Sequence, residues 1–363
     1  MTAAKLPDFP WDSLAGFKAR AQEHPGGIVD LSVGTPVDPV PAGIRDALAS
    51  VSDIPGYPAT HGTPALRSAA IAALGRRHGI EGIEPDAVLP TIGSKEAVAW
   101  LPRLLGFGPG DLVVIPELAY PTYEVGALLA GAEVARADGL TQLGPRRPAM
   151  IWLNSPSNPT GRVLGADHLR KVVEWARERD VIVVSDECYL SLGWEAEPVS
   201  VLHPSVHGGR LDGLLAVHSL SKSANLASYR AGFVTGDPKL VKNLLEIRKH
   251  AGMIVPRPVQ EAMVAALTDD EALAAQRERY LRRRVVLRKA LQDNGFEISH
   301  SEAGLYLWST RGEDSLTTVG WLADRGILVA PGTFYGPTGG KHVRVALTAT
   351  DERIDAAAER LAS

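Results

Sequence analysis

Six short runs of the chain are apolar almost throughout: Ala87–Ile92, Leu112–Ile115, Met150–Leu153, Val181–Ser185, Leu214–His218 and Gly232–Thr235. A strand with one wet face alternates apolar and polar side chains. A run without alternation suits a sheet covered on both sides. Between these runs the apolar spacing switches to that of amphipathic helices, at Pro64–His78, Lys95–Leu105, Ala166–Arg179 and Pro238–His250. Such switching predicts α/β layers around a sheet. Gly252, Pro256 and Pro258 punctuate the chain after the last of these helices.

The second part reads differently. A long helical pattern from Asp270 to Asn294, closed by Gly295, bridges to four shorter runs: Phe296–Ser299, Tyr306–Ser309, Ile327–Ala330 and Val343–Ala346. These predict a smaller α+β unit. The expected division is an N-terminal arm over 1–30, rich in Pro and Gly, then a large domain over 31–275 and a small C-terminal domain over 276–363. Residues 31–45 are expected to contribute to the small domain. A chain of 363 residues is also too long for one simple core.

Composition narrows the function classes. Hydrophobic residues make up 45% and charged residues 22%, ordinary for a globular chain. A net charge of -4 supplies no general attraction to nucleic acid or to an anionic membrane. The basic cluster Arg282-Arg283-Arg284 reads as a solvated helix face. One cysteine, Cys188, excludes an intramolecular disulfide and a cysteine-based metal site, and it reads as a small buried residue. No apolar run approaches the ~20 residues that span a bilayer, and no secretory signal opens the chain. The expectation is a cytoplasmic protein with no metal.

Candidate chemistry centres on His218-Ser219-Leu220-Ser221-Lys222-Ser223, with Arg230 eight residues beyond the lysine. An amine among hydroxyls with a guanidinium downstream suits a lysine that forms a Schiff base beside a bound phosphate. Three upstream fragments add to it: Gly93-Ser94-Lys95-Glu96-Ala97, Asn154-Ser155-Pro156-Ser157-Asn158-Pro159-Thr160-Gly161 and Ser185-Asp186-Glu187-Cys188-Tyr189. Asp186 ends an apolar run, where open α/β sheets place ligand-binding groups; the plainer reading is a cap on the next turn. Gly93-Ser94-Lys95 follows a strand and opens a helix, a position whose free N–H groups hold anions.

The order and spacing of these fragments resemble the class I/II, aspartate-aminotransferase-like enzymes of fold type I, from about Asp30 to Thr348. The resemblance implies an α/β fold with a mostly parallel sheet between helices, plus a smaller α+β domain. It implies pyridoxal 5'-phosphate as cofactor, with Lys222 as the catalytic amine and Asp186 at the pyridine nitrogen. Tyr189 and Asn158 would contact the phenolic oxygen, and Tyr120 would stack on the ring. The phosphate would be held by Gly93, Ser94, Lys95, Ser219 and Arg230, and by Tyr57 reaching over from the neighbouring subunit. That last contact implies a homodimer with a composite site. Arg344, in His342-Val343-Arg344-Val345-Ala346, matches the clamp on the substrate α-carboxylate, and Gly34 matches a backbone contact to the same group.

The stretch from Asp138 to Pro148 is shorter than in most members. Compact chains with this trim and a Leu6-Pro7-Asp8-Phe9-Pro10-Trp11-Asp12 opening look like actinobacterial succinyldiaminopimelate aminotransferases. The expected substrates are therefore amino and 2-oxo acids, with glutamate/2-oxoglutarate as one pair and succinyldiaminopimelate as the partner. Aspartate and prephenate are the alternatives, and a β-eliminating lyase would use the same cofactor residues. A regulatory domain on this fold would carry a DNA-binding domain ahead of it, and only about 30 residues precede the first motif. For a distal substrate carboxylate the sequence offers Arg248, Lys249, His250 and Arg257 without selecting among them.

Overall fold

Seven strands assemble where the unalternating runs predict a doubly covered sheet. They are β1 (Val88–Ile92), β2 (Leu112–Ile115), β3 (Glu133–Arg136), β4 (Met150–Asn154), β5 (Ile182–Asp186), β6 (Leu214–Ser219) and β7 (Ala231–Gly236). Their spatial order is β1-β7-β6-β5-β4-β2-β3. Strands β2 to β6 pair in parallel, and β7 alone runs opposite to both its neighbours. These come from a computed structural model that describes residues 6–362. The first five residues of the expected arm, and Ser363, lie outside the described residues.

The reason for the unbroken apolar runs is visible in the packing. Val113, Trp152, Val184 and Leu215 enter the core on one face of the sheet. Their chain neighbours Val114, Ile151, Val183 and Ala216 enter the core on the other. Edge strand β3 is only partly buried, and its pattern is correspondingly mixed. Local capping sets the helices between: Thr63 accepts from Leu66 N at the start of Pro64–His78, and Gly79 closes that helix in the left-handed region. Asp237 likewise caps Pro238–Ala251.

A second core belongs to the C-terminal unit. Strands β8 (Glu297–Ser299), β9 (Tyr306–Thr310), β10 (Ala330–Pro331) and β11 (Val343–Ala346) form an antiparallel sheet in the order β10-β11-β9-β8. Helices Ser315–Ala323 and Asp351–Ala362 cover it, and Val29 and Leu31 from the N-terminal side join the same core.

Three expectations change. The run Ile327–Ala330 is two strands: Ile327–Leu328 pairs with Val29–Asp30, whereas Ala330–Pro331 pairs with β11. The prolines near 256 begin a helix rather than interrupt the chain. Pro256 and Pro258 flank the first residue of Arg257–Thr268, where a missing N–H costs no helical bond. The Arg282-Arg283-Arg284 cluster is not a solvated face either. Arg282 is exposed, but Arg283 and Arg284 are buried. Arg283 clamps Asp38 through two hydrogen bonds of 2.8 and 2.6 Å and holds Asp351 at 2.6 Å. Arg284 bonds Glu195 and the Ser301 carbonyl.

Arg283 thus ties three segments together from the long helix Asp270–Asp293. Removing one partner of a buried pair costs about 3–5 kcal/mol. Arg283→Ala is therefore expected to lower the thermal denaturation midpoint by several degrees, with Arg283→Lys intermediate. An unchanged midpoint in the alanine variant would mean that the clamp contributes nothing to folding.

Candidate active site

The carboxyl ends of β1, β4, β5 and β6 and the amino end of antiparallel β7 lie on one edge of the sheet, and the candidate residues follow from that. Gly93–Leu104 starts directly after β1, Asn154 and Asp186 end β4 and β5, Ser219 ends β6, and Arg230 precedes β7. Gly93 has φ +72, and a Cβ there would collide with the Arg230 guanidinium. Arg230 itself sits at φ +56, and its Nη1 donates to Ala227 O at 2.7 Å. The left-handed turn thus brings a guanidinium against a helix N-terminus, two groups that both favour an anion.

Lys222 reaches across this edge to the second unit, and its Nζ donates to the carbonyl of Gly34. Burial, with Arg344 and Arg230 nearby, brings its amine down to about 8. A lysine so placed is available in its neutral, nucleophilic form. Asp186 is buried and accepts from Tyr123 Oη at 2.7 Å and from Cys188 N at 3.2 Å. Burial nevertheless pushes its carboxyl up, and those hydrogen bonds only partly oppose it. A cationic partner would relieve it. Burial likewise pushes the thiol of partly buried Cys188 up, so it is no thiolate.

The opposite wall is built by the small unit. Arg344 is 2% exposed; its Nη1 donates to Asn158 Oδ1 and its Nη2 to Ser32 O, both at 2.8 Å, while Nε has no partner among the described residues. Tyr306 and Tyr335 lie over the guanidinium at 3.9 and 4.9 Å. Tyr189 Oη meets Tyr306 Oη at 3.0 Å. Gly34 has to be glycine, because a Cβ would strike the Tyr306 hydroxyl. Ser219 Oγ accepts from Ser221 N at 3.2 Å. Tyr120 packs edge-on against Tyr123, and burial raises its phenol to about 12.

Two expected residues stand apart. The Lys95 side chain is exposed, with Nζ 5.5 Å from the Phe9 ring. Tyr57 is wholly exposed, with no contact to the cluster of its own chain. Several residues were not anticipated. Tyr123 lies three residues beyond Tyr120, and Asn154, inside a fragment already singled out, bonds Asn158 N at 2.7 Å and Asp186 O at 3.0 Å. Trp11 lies in the opening segment already singled out, though with no site role assigned, and Tyr306 carried no site signal beyond its aromatic character.

A lowered amine, a buried carboxylate in need of a cation, and an anion cradle define a site for an anionic cofactor with a basic ring. The chain belongs to the class I and II aminotransferases, whose family model matches residues 27–361. It is 68% identical to a probable aminotransferase of Mycobacterium tuberculosis, over 99% of this chain and 86% of that one. It is 58% identical to the 4-dedimethylamino-4-oxo-anhydrotetracycline transaminase OxyQ of Streptomyces rimosus, over 98% and 99%. A solved structure described as a probable N-succinyldiaminopimelate aminotransferase from Thermus thermophilus superposes with a TM-score of 0.87. It is 30% identical, over 97% of this chain and 99% of that one. The fold is fold type I, and the cofactor of the family is pyridoxal 5'-phosphate. The residues described above fit that group. No cluster of metal-ligating side chains occurs among the described residues, and no helix among them is long and apolar enough to cross a membrane.

Lys222 can attack an aldehyde only without its extra proton. Its depressed value means the neutral form takes over above pH about 8, whereas an ordinary lysine requires pH above about 10. The rate at which apoprotein captures the cofactor, followed by absorbance, is expected to rise with pH and level off soon after 8. A rate still climbing steeply beyond pH 10 would show an unperturbed amine.

Proposed function

We propose that this aminotransferase takes its amino group from glutamate and passes it to a long, N-acylated dicarboxylic 2-oxo acid of the N-succinyl-2-amino-6-oxopimelate type. The product would be N-succinyl-LL-2,6-diaminopimelate. When bound, the cofactor supplies a carbonyl for the amino group and a ring that accepts the charge left at Cα. Asp186 would keep the ring nitrogen protonated. Tyr189 and Asn158 would hold the phenolic oxygen, and Tyr120 would cover the ring. Arg230, Ser219 and the backbone of Gly93, Ser94 and Lys95 would hold the phosphate. Lys222 Nζ would hold the cofactor and would be the base that takes and returns the substrate Cα proton. Arg344 takes the α-carboxylate through its free Nε, beside the Gly34 backbone. Tyr57 serves the partner subunit of a homodimer, and active monomers in a sedimentation series would remove that part of the reading.

One observation carries the substrate length. From Arg344 an aromatic track runs to Trp11, at 6.0 Å, then to Phe9, 5.5 Å further, and ends under the Lys95 amine. Among the described residues Lys95 forms no ion pair, whereas Arg248 is held by Glu96, Lys249 by Glu246 and Arg257 by Glu261. Lys95, at the end of the track, is the cation we assign to a distal carboxylate. The name of the Thermus thermophilus structure agrees with this reading. A second reading, a polycyclic oxo substrate, is favoured by the flat surface of Trp11 with Phe334 at 5.4 Å and by the name of the Streptomyces rimosus relative.

The two cations should separate in steady-state kinetics. Arg344→Ala removes a buried charge partner, about 2–5 kcal/mol, so kcat/KM should fall roughly 30- to 4000-fold for every substrate alike. Lys95→Ala removes an exposed charge and should cost about two- to fivefold for the succinylated dicarboxylic substrate only. A polycyclic ketone turned over a hundredfold better than the succinylated acceptor would select the second reading.

A further inference from the structure

Behind the cofactor-facing loop lies a cavity that the transamination chemistry does not use. Its volume is about 140 Å³, close to that of an apolar cavity of ~150 Å³ known to admit benzene. Its floor is the inner face of β4, Ile151 and Leu153. Its sides are Leu140 and Leu143 from the short turn Leu140–Leu143, with Leu164 and Val172 opposite. All six are aliphatic, so a hydrocarbon or aryl body gains by leaving water there.

The rim is polar and unbalanced. Arg162 is exposed, and its guanidinium has no hydrogen-bond or ion-pair partner among the described residues. Half-buried His168 stands beside it with no partner among the described residues; burial, then Arg162 and Lys171, hold its imidazole below the ordinary value, which favours the neutral ring. Two other rim groups are already engaged: Asp138 accepts from Glu117 N at 2.9 Å, and His300 faces Glu302 at 3.8 Å. An aliphatic pocket of one-ring size with a free guanidinium and a neutral imidazole at its mouth matches an amphipathic monocarboxylate.

The inner wall includes Asn154. That side chain accepts from Asn158 N and donates to Asp186 O, so the same residue borders the cavity and braces two cofactor-facing groups. Asn158 in turn receives Arg344 Nη1. A ligand pressing on β4 from behind therefore bears on the substrate clamp through two consecutive hydrogen bonds, Asn154 to Asn158 and Asn158 to Arg344, not through a distant path.

We propose that this cavity is a regulatory site for a small aryl or branched-alkyl monocarboxylate, whose body lies between Leu164 and Leu140 and whose carboxylate is held by Arg162. Occupancy changes turnover through Asn154 without competing for Arg344. The site is independent of which oxo acid the enzyme uses.

The probe is 4-fluorophenylacetate, followed by fluorine NMR on the cofactor-loaded enzyme. Binding is expected in the wild type, weakened at least about tenfold by Arg162→Ala and abolished by Leu164→Trp, which fills the cavity. Both variants should keep the wild-type KM for 2-oxoglutarate in the absence of probe. In the wild type the probe should alter kcat, and excess 2-oxoglutarate should not reverse this. Absence of binding would overturn the proposal. So would binding that survives both substitutions, or an effect that is purely competitive with 2-oxoglutarate, since the probe would then occupy the Arg344 site.

Discussion

A lysine amine kept out of water between two guanidinium groups is the constraint that organises this molecule. Lys222 comes from the turn after β6, its hydrogen-bond acceptor Gly34 lies on the N-terminal segment, and Arg344 comes from β11 of the small unit. No single layer could supply all three. A charged amine is costly to bury, so folding lowers the amine's hold on its proton and enlarges the share of the neutral form, the one with a lone pair to use. The approach of the second unit thus both dries the amine and delivers the arginine that disfavours its proton.

The neighbouring groups obey the same rule from the other sign. The neighbouring carboxylate Asp186 is buried and given two donors but no cation among the described residues, and Arg344 is a buried guanidinium whose Nε has no partner among them. Elsewhere the chain completes its buried ion pairs, as at Arg248 with Glu96 and Arg283 with Asp38. A buried carboxylate without a cation and a buried guanidinium without a carboxylate, set on one edge, mark where partners from outside the chain belong. The dense hydrogen bonding of Asn154, Asn158 and Arg344 then makes the edge one rigid assembly rather than a set of separate contacts.

Much of this was legible in the sequence because it is local. The six apolar runs became strands since both faces of the sheet are covered, and Asp186 could be placed by its position at a strand end. The family's motifs supplied roles that spacing alone left open. What the sequence concealed is what depends on long-range pairing. Arg283 and Arg284 look like any solvated arginine until Asp38, Asp351 and Glu195 fold against them. Pro256 and Pro258 read as breakers because nothing local says that a helix begins there. Tyr306 contacts Tyr189 and Arg344 from an antiparallel strand whose register no motif encodes. Arg248 looked like a candidate substrate reader for the same reason, since its partner Glu96 lies 152 positions away.

The most direct test of the shared constraint is to reduce the cofactor-loaded protein with borohydride, digest it, and locate the modified residue by mass spectrometry. The label should fall on Lys222 alone, and Lys222→Ala should take none. A label on Lys95, or on any other lysine, would contradict the claim that the amine dried by Gly34, Arg230 and Arg344 is the one that does the chemistry.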